Sequence, residues 1–145
     1  NKWRVKKVFE NVQSASISHD FAQILICTNE SYEAAPGPGS VIIYDLGLDS
    51  TFFVNELGRG NIEAKRRNQH SPIFVLKQQS ESRNIFVYFY REDPIKLTKY
   101  DREIEINMFY LYYDKLFLFL TDYTDPYVRR NASETIYDRL TLQGK

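Results

Sequence analysis

The sequence predicts an all-β fold of antiparallel hairpin units, on three observations. Eleven Tyr and ten Phe stand against six Gly and five Pro in a chain that is 43% hydrophobic, and such side chains suit half-buried pleated surfaces. Short runs of β-branched and aromatic residues alternate with turn formers along the whole length. Helical periodicity is weak: Ile136 and Leu140, behind an acidic Glu134, supply only one i, i+4 pair.

Taken in order, strands are expected at residues 5–12, 22–28, 40–46, 52–54, 72–77, 85–90, 95–100, 107–112 and 116–120. A last one at 135–141 is ambiguous, because residues 133–142 read equally as strand or helix. Some runs alternate and others, such as Ile24-Leu25-Ile26, are continuously apolar, which suggests both half-buried and fully buried strands. Two stretches read as loops. "NESYEAAPGPGS", at 29–40, has two prolines and two glycines in four residues, and "ELGRGNIEAKRRNQHS", at 56–71, is polar and basic and reads as a connection.

With 145 residues the chain is sized for one domain and a modest core. A formal net charge of zero removes any general attraction to nucleic acid. The one cysteine, Cys27, lies in "AQILICTN" and reads as a small core residue; alone it makes neither an intrachain disulfide nor a multi-thiolate zinc site. No stretch approaches the roughly 20 apolar residues of a membrane-spanning helix, and Asn1-Lys2-Trp3 opens on polar sequence without a signal-peptide pattern. A single cysteine fits an intracellular setting, whereas the sequons at Asn29 and Asn131 point to an extracellular one with glycan on two expected loops.

The dipeptide Tyr-Asp closes three hairpin-like units. "SASISHDFAQILICTNESYEAAPGPGSVIIYDL" ends at Tyr44-Asp45, "SPIFVLKQQSESRNIFVYFYREDPIKLTKYD" at Tyr100-Asp101, and "NMFYLYYDKLFLFLTDYTDPYVRRNASETIYDRL" at Tyr137-Asp138. The units cover approximately residues 14–46, 71–101 and 107–140. In the outer two, a polar turn precedes an apolar strand, a long polar excursion and a strand reading Ile-Tyr-Asp; Asp20 precedes Asp45 by 25 residues and Asp114 precedes Asp138 by 24. The excursion at 122–133 reads as an extended hairpin loop. At each unit's end a tyrosine would pack its ring on the next unit, and an aspartate would open the following turn.

"ASISHDFAQILICT…GSVIIYDL" resembles a WD40-type propeller repeat, with its apolar-Ser-x-Asp turn, apolar strand and closing aromatic-Asp. The long excursions before "SVIIYDL" and "ETIYDRL" resemble blades of the dipeptidyl-peptidase type. The resemblance covers about 95 residues in three pieces and departs from the pattern in lacking Gly-His and Trp-Asp. It implies a piece of a propeller, since blades run to about 40–50 residues and closed propellers need at least four. The paired glutamates with which dipeptidyl peptidases hold a substrate amine have no counterpart, because no Glu-Glu occurs. If the chain is instead self-contained, a small barrel of pleckstrin-homology type with a C-terminal helix is the alternative.

Chemistry-bearing motifs are sparse. No Gly-x-Ser-x-Gly elbow occurs, and no motif links His19 or His70 to Cys27 or to a serine. "TDYTDP" and "YDREIE" lack the spacing of a calcium loop, so no metal or cofactor is expected. Arg59, Lys65, Arg66 and Arg67 form a basic cluster that would suit an anion such as a lipid headgroup. "VIIYDLGLDS" is similar to the strand-then-acid segment of some glycosyltransferases, with Asp45 near a metal-bound sugar nucleotide. The reading adopted is a non-catalytic protein-interaction module or scaffold. A phosphoinositide- or peptide-binding barrel comes second and a glycosyltransferase fragment third.

Overall fold

Among the described residues, eleven strands and no α-helix make up the fold seen in a computed structural model of the chain. Residues 2–29, 39–54, 57–113 and 115–124 are described in full, and 130–136 by their backbone. Among them the strands form three separate antiparallel sheets, each a meander of sequence neighbours. Sheet 1 runs β1 (Val12–Ile17), β2 (Gln23–Thr28), β3 (Val41–Asp45), β4 (Ser50–Phe53). Sheet 2 runs β5 (Asn61–Lys65), β6 (Ile73–Gln79), β7 (Ser82–Tyr88), β8 (Ile95–Lys96). Sheet 3 runs β9 (Ile104–Tyr112), β10 (Lys115–Asp122), β11 (Arg130–Ile136). The all-β expectation holds. No sheet closes on itself, so the barrel alternative falls, and the tract proposed as its helix is strand through Ile136.

The sheets stand side by side, with two apolar layers between them. Leu25, Cys27, Val41 and Ile43 of sheet 1 pack on Ala64, Ile73 and Val75 of sheet 2. On its other face sheet 2 sends Phe74, Leu76, Ile85 and Val87 against Ile106, Phe109, Leu116 and Leu118 of sheet 3. The continuous apolar runs Ile24-Leu25-Ile26 and Phe117-Leu118-Phe119 occupy equivalent second strands, β2 and β10. Polar bonds join the first strands. Ser14 and Ser16 hydroxyls donate to the carbonyls of Ile62 and Ala64 at 2.6 and 2.5 Å, and the Lys65 ammonium donates to Phe109 O at 2.6 Å.

Several boundaries differ from the sequence reading, each for a physical reason. Residues 5–9 form no strand; they cross the outer face of sheet 1, with the Phe9 ring edge-on to Tyr44 at 5.6 Å. The first strand is instead Val12–Ile17, whose small residues let β5 approach closely enough for the serine bonds. The supposed connection at 56–71 contains β5. It is reached through Gly60 at φ 85°, where an added Cβ would lie 2.4 Å from Gln78 O. The ladder of β8 stops at Lys96, short of Tyr100, because the Asn84 side chain takes the backbone groups beyond it: Nδ2 donates to Tyr100 O and Oδ1 accepts from Tyr100 N. In sheet 3, Asp122 already pairs with Arg130, so strand takes up Asp122 and residues 130–133 of the expected loop at 122–133.

Tyr-Asp also acts differently from expectation. Tyr44 is buried, but on the outer face of sheet 1 under Phe9 rather than against sheet 2, and its hydroxyl donates to Asp49. Asp45 does open a turn, its Oδ1 accepting Leu48 N–H at 2.9 Å. Tyr100-Asp101 lies past the strand rather than closing it. Asp114 and Tyr137-Asp138 are outside the described residues.

Candidate interaction surface

Because successive strands are antiparallel, the β1–β2, β3–β4, β5–β6, β7–β8 and β9–β10 connections share one end of the sheets. That end is built on a network of polar side chains. Ser18 Oγ donates to Asp20 Oδ1 at 2.6 Å, and the same carboxylate accepts Ala22 N–H. These bonds, Ser18 foremost, hold the Asp20 carboxyl below its ordinary range. The apolar-Ser-x-Asp motif is thus a self-bonded turn. Asp20 N–H also reaches across to Arg67 O at 3.2 Å, tying sheet 1 to sheet 2.

Arg66 completes the tie. One terminal nitrogen donates to Gln23 Oε1 at 3.3 Å; the other donates to Gln69 O and Ser71 O at 2.8 and 2.7 Å. Gln23 in turn donates to Asp45 Oδ2 at 3.3 Å. Burial pushes the Arg66 pKa down, against the opposing pull of Asp20. Its Nε is buried without a hydrogen-bond partner among the described residues. Beside it a groove of about 570 Å³ opens between sheets 1 and 2, lined by Phe53, Arg66, His70, Pro72, Tyr88 and Tyr90 among others.

Around this network four of the five turns carry exposed apolar side chains, while the β5–β6 turn, Arg67-Asn68-Gln69-His70, is polar. Phe21, Leu48, Tyr90, Tyr112 and Tyr113 are 61–79% exposed. Four residues of these turns, Phe21, Asp49, Arg91 and Tyr113, sit at φ between 51° and 59°, a left-handed conformation disfavoured for bulky side chains. The turns thus keep Phe, Arg and Tyr where Gly or Asn would be less strained. Neighbouring rings and cations pair there: Tyr112 on Tyr113 at 4.6 Å, and Arg91 over Tyr90 at 5.0 Å. At the opposite end the described connections are chiefly polar, as in Ser80-Glu81 and Asp101-Arg102-Glu103, with Tyr123 38% exposed and its hydroxyl bonded to Glu105.

The four basic residues singled out from the sequence are dispersed. Arg59 is exposed at the opposite end. Lys65 points toward sheet 3, paired with Glu63 at 2.9 Å and lying 4.2 Å over the Tyr110 ring. Arg66 points the other way, to sheet 1, and Arg67 is half-buried behind it. Asn29 is exposed beside β2, while Asn131 lies within β11 rather than in a loop. Asp45, the glycosyltransferase candidate, has its two oxygens engaged by Leu48 and Gln23. No three His, Cys, Asp or Glu among the described residues come together to hold a metal. Cys27 is buried, and desolvation pushes its thiol up to about 12. The apolar tips were missed from the sequence; their signal was a large apolar residue inside an otherwise polar turn, as in "HDFA" and "GLDS".

No family model and no curated protein matches the chain. Among solved structures, a candidate conserved lipoprotein of Clostridium novyi NT superimposes with a TM-score of 0.63 at 11% identity, over 93% of this chain and 91% of that one. Hsv2 of Kluyveromyces marxianus gives a TM-score of 0.47 at 11% identity, over 86% of this chain and 39% of that one. The first likeness is one of fold. No helix among the described residues is long and apolar enough to cross a membrane.

Proposed function

We propose that this chain is a non-catalytic protein-interaction module made of propeller-like blades, and that its turn end is the face that meets the partner. The blade reading is supported by sheets that each run through sequence neighbours and abut through their first strands. The single observation carrying the functional reading is the contrast between ends. Five large apolar side chains project at one end, two of them, Phe21 and Tyr113, on left-handed backbone, while the other end is chiefly polar in its described connections. Exposed aromatic tips around an arginine-lined groove have the composition of a protein-binding surface.

Site-specific photocrosslinking tests this. A photoreactive phenylalanine at Leu48 or Tyr90 should trap a discrete protein partner, whereas the same group at Ser80 or Arg102 should trap none. Equal crosslinking from both ends would refute the assignment of the face, and retention on lipid vesicles in place of protein would refute the class of partner.

A further inference from the structure

Arg66 stands half-buried between sheets 1 and 2 with no carboxylate bound to it. Among the described residues its acceptors are all neutral: Gln23 Oε1 at 3.3 Å, Gln69 O at 2.8 Å and Ser71 O at 2.7 Å. Its Nε–H has no acceptor there. The ion pairs among these residues belong to Lys65, Arg83 and Arg102, not to Arg66. Asp20 is the acid whose charge reaches it, but that carboxylate is already engaged by the Ser18 hydroxyl and Ala22 N–H. Withdrawing a charge from water is costly unless an opposite charge or a full set of hydrogen bonds offsets it. A guanidinium in this state favours an incoming anion.

The groove beside it can admit one. Its volume of about 570 Å³ falls in the range of ligand sites, and no Asp or Glu is among the described residues that line it. Phe53, Pro72, Ile73 and Tyr90 make its walls largely apolar, which lowers the local dielectric and strengthens the pull of the guanidinium. The kind of anion follows from the charge at hand. Arg66 is the one permanent cation in that lining, and its Nη2 is taken up by two carbonyls. Nη1 makes a single bond among the described residues, which leaves it one N–H to give. That capacity matches the single charge of a carboxylate and falls short of a doubly charged phosphate, which calls for a cluster of Arg.

Resting on the reading of this end as the partner-binding face, we propose that the groove takes a carboxylate carried by a segment of the partner protein, and that Arg66 is the residue that selects it. Apolar side chains next to that carboxylate pack against Phe53 and Tyr90 in the same groove. An Asp or Glu side chain and a free chain terminus both offer this chemistry.

Selection of displayed random hexapeptides on the whole chain tests this, in two arms: peptides blocked at both ends, and peptides with a free C-terminus. Enrichment of Asp or Glu beside apolar residues in the first arm identifies the side chain as the source, and enrichment in the second alone identifies the terminus. The synthetic peptide that binds best should lose roughly 10- to 100-fold in affinity when its carboxylate is replaced by the amide, as loss of a hydrogen bond to a charged group does. Arg66→Gln should abolish that preference. Gln69→Glu leaves the Arg66 bonds to the loop carbonyls in place and sets a rival carboxylate in the lining at an exposed position; it should weaken the acidic peptide in the same sense. Equal affinity for acid and amide, binding unchanged in both variants, or no enrichment in either arm would overturn the proposal. Amide chemical shifts separate the two ways of failing. Peptides that bind without a carboxylate and shift Phe21 and Leu48 remove the carboxylate site and leave the face standing. Peptides that shift only Ser80 and Arg102 remove both.

Discussion

Replacing Asn84 by Ala should destabilise the chain by about 3–4 kcal/mol, a magnitude set by the groups it would leave unpaired. Asn84 and Thr98 are buried, 2% and 3% exposed. Nδ2 of Asn84 donates to Tyr100 O at 2.9 Å, while Oδ1 accepts from the Thr98 hydroxyl and Tyr100 N, both at 2.7 Å. Thr98 Oγ1 then accepts Ile85 N–H at 2.9 Å. A buried polar group left without a partner costs about 1–3 kcal/mol. The two Tyr100 groups, on a half-buried residue, regain some water and take the low end of that range. Thr98→Val removes its own donor bond and strands Ile85 N–H, for about 2–3 kcal/mol. Because the two substitutions share the Asn84–Thr98 bond, the double variant should lose about 1 kcal/mol less than the sum. Urea unfolding followed by circular dichroism measures all three. A loss under 1 kcal/mol for Asn84→Ala, or strict additivity in the double variant, would refute the claim that this amide substitutes for the missing ladder.

Three other outcomes are expected. Tyr44→Ala should cost about 3–5 kcal/mol as a large-to-small change in a buried position, and Tyr44→Phe about 1 kcal/mol for the hydroxyl given to Asp49; equal losses in urea unfolding would contradict the packing described. Cys27 should resist a thiol reagent at pH 8 until the chain unfolds, since burial holds its thiol up at about 12; prompt stoichiometric labelling of folded protein would count against this. Asp20, Asp45 and Asp49 are held below their ordinary range by the Ser18 hydroxyl, the Leu48 amide and the Tyr44 hydroxyl respectively. Their contribution is therefore present above the unfolded carboxyl value of about 4 and is lost as pH falls through the lower folded values. Thermal melts of the Asp→Asn triple variant should show a flatter acid limb than the parent chain.

What the sequence made legible follows from burial. β2 and β10 are sandwiched on one face between sheets and carry continuous apolar runs that announce them, and Asp45 sits in the turn it was expected to open. β1 and β5 stayed hidden because their roles favour the wrong letters. "VQSASI" and "NIEAK" are small and polar where first strands come together, and neighbouring strands rather than intrinsic propensity hold them in place. Lys65 and Arg66 looked like one basic patch, yet consecutive residues at the end of a strand project to opposite faces. Phe21 and Tyr113 lie just outside the strands expected at 22–28 and 107–112 and drew no assignment, since nothing in a single sequence marks a left-handed φ at a residue other than glycine.

The meander order of the sheets bears on how the chain acquires its structure. Every ladder joins strands adjacent in sequence, so each loop to be closed is short and local contacts form early. Sheet 1 has all its strands once residue 53 has been made, before any of sheet 2 leaves the ribosome. The Ser14–Ile62 and Ser16–Ala64 bonds span 48 residues each and belong to a later docking step between preformed sheets. Translation should thus release a succession of short-lived half-sandwiches, each with an apolar face waiting for the next sheet, and a pause in synthesis after residue 60 would leave that face uncovered at its most aggregation-prone moment.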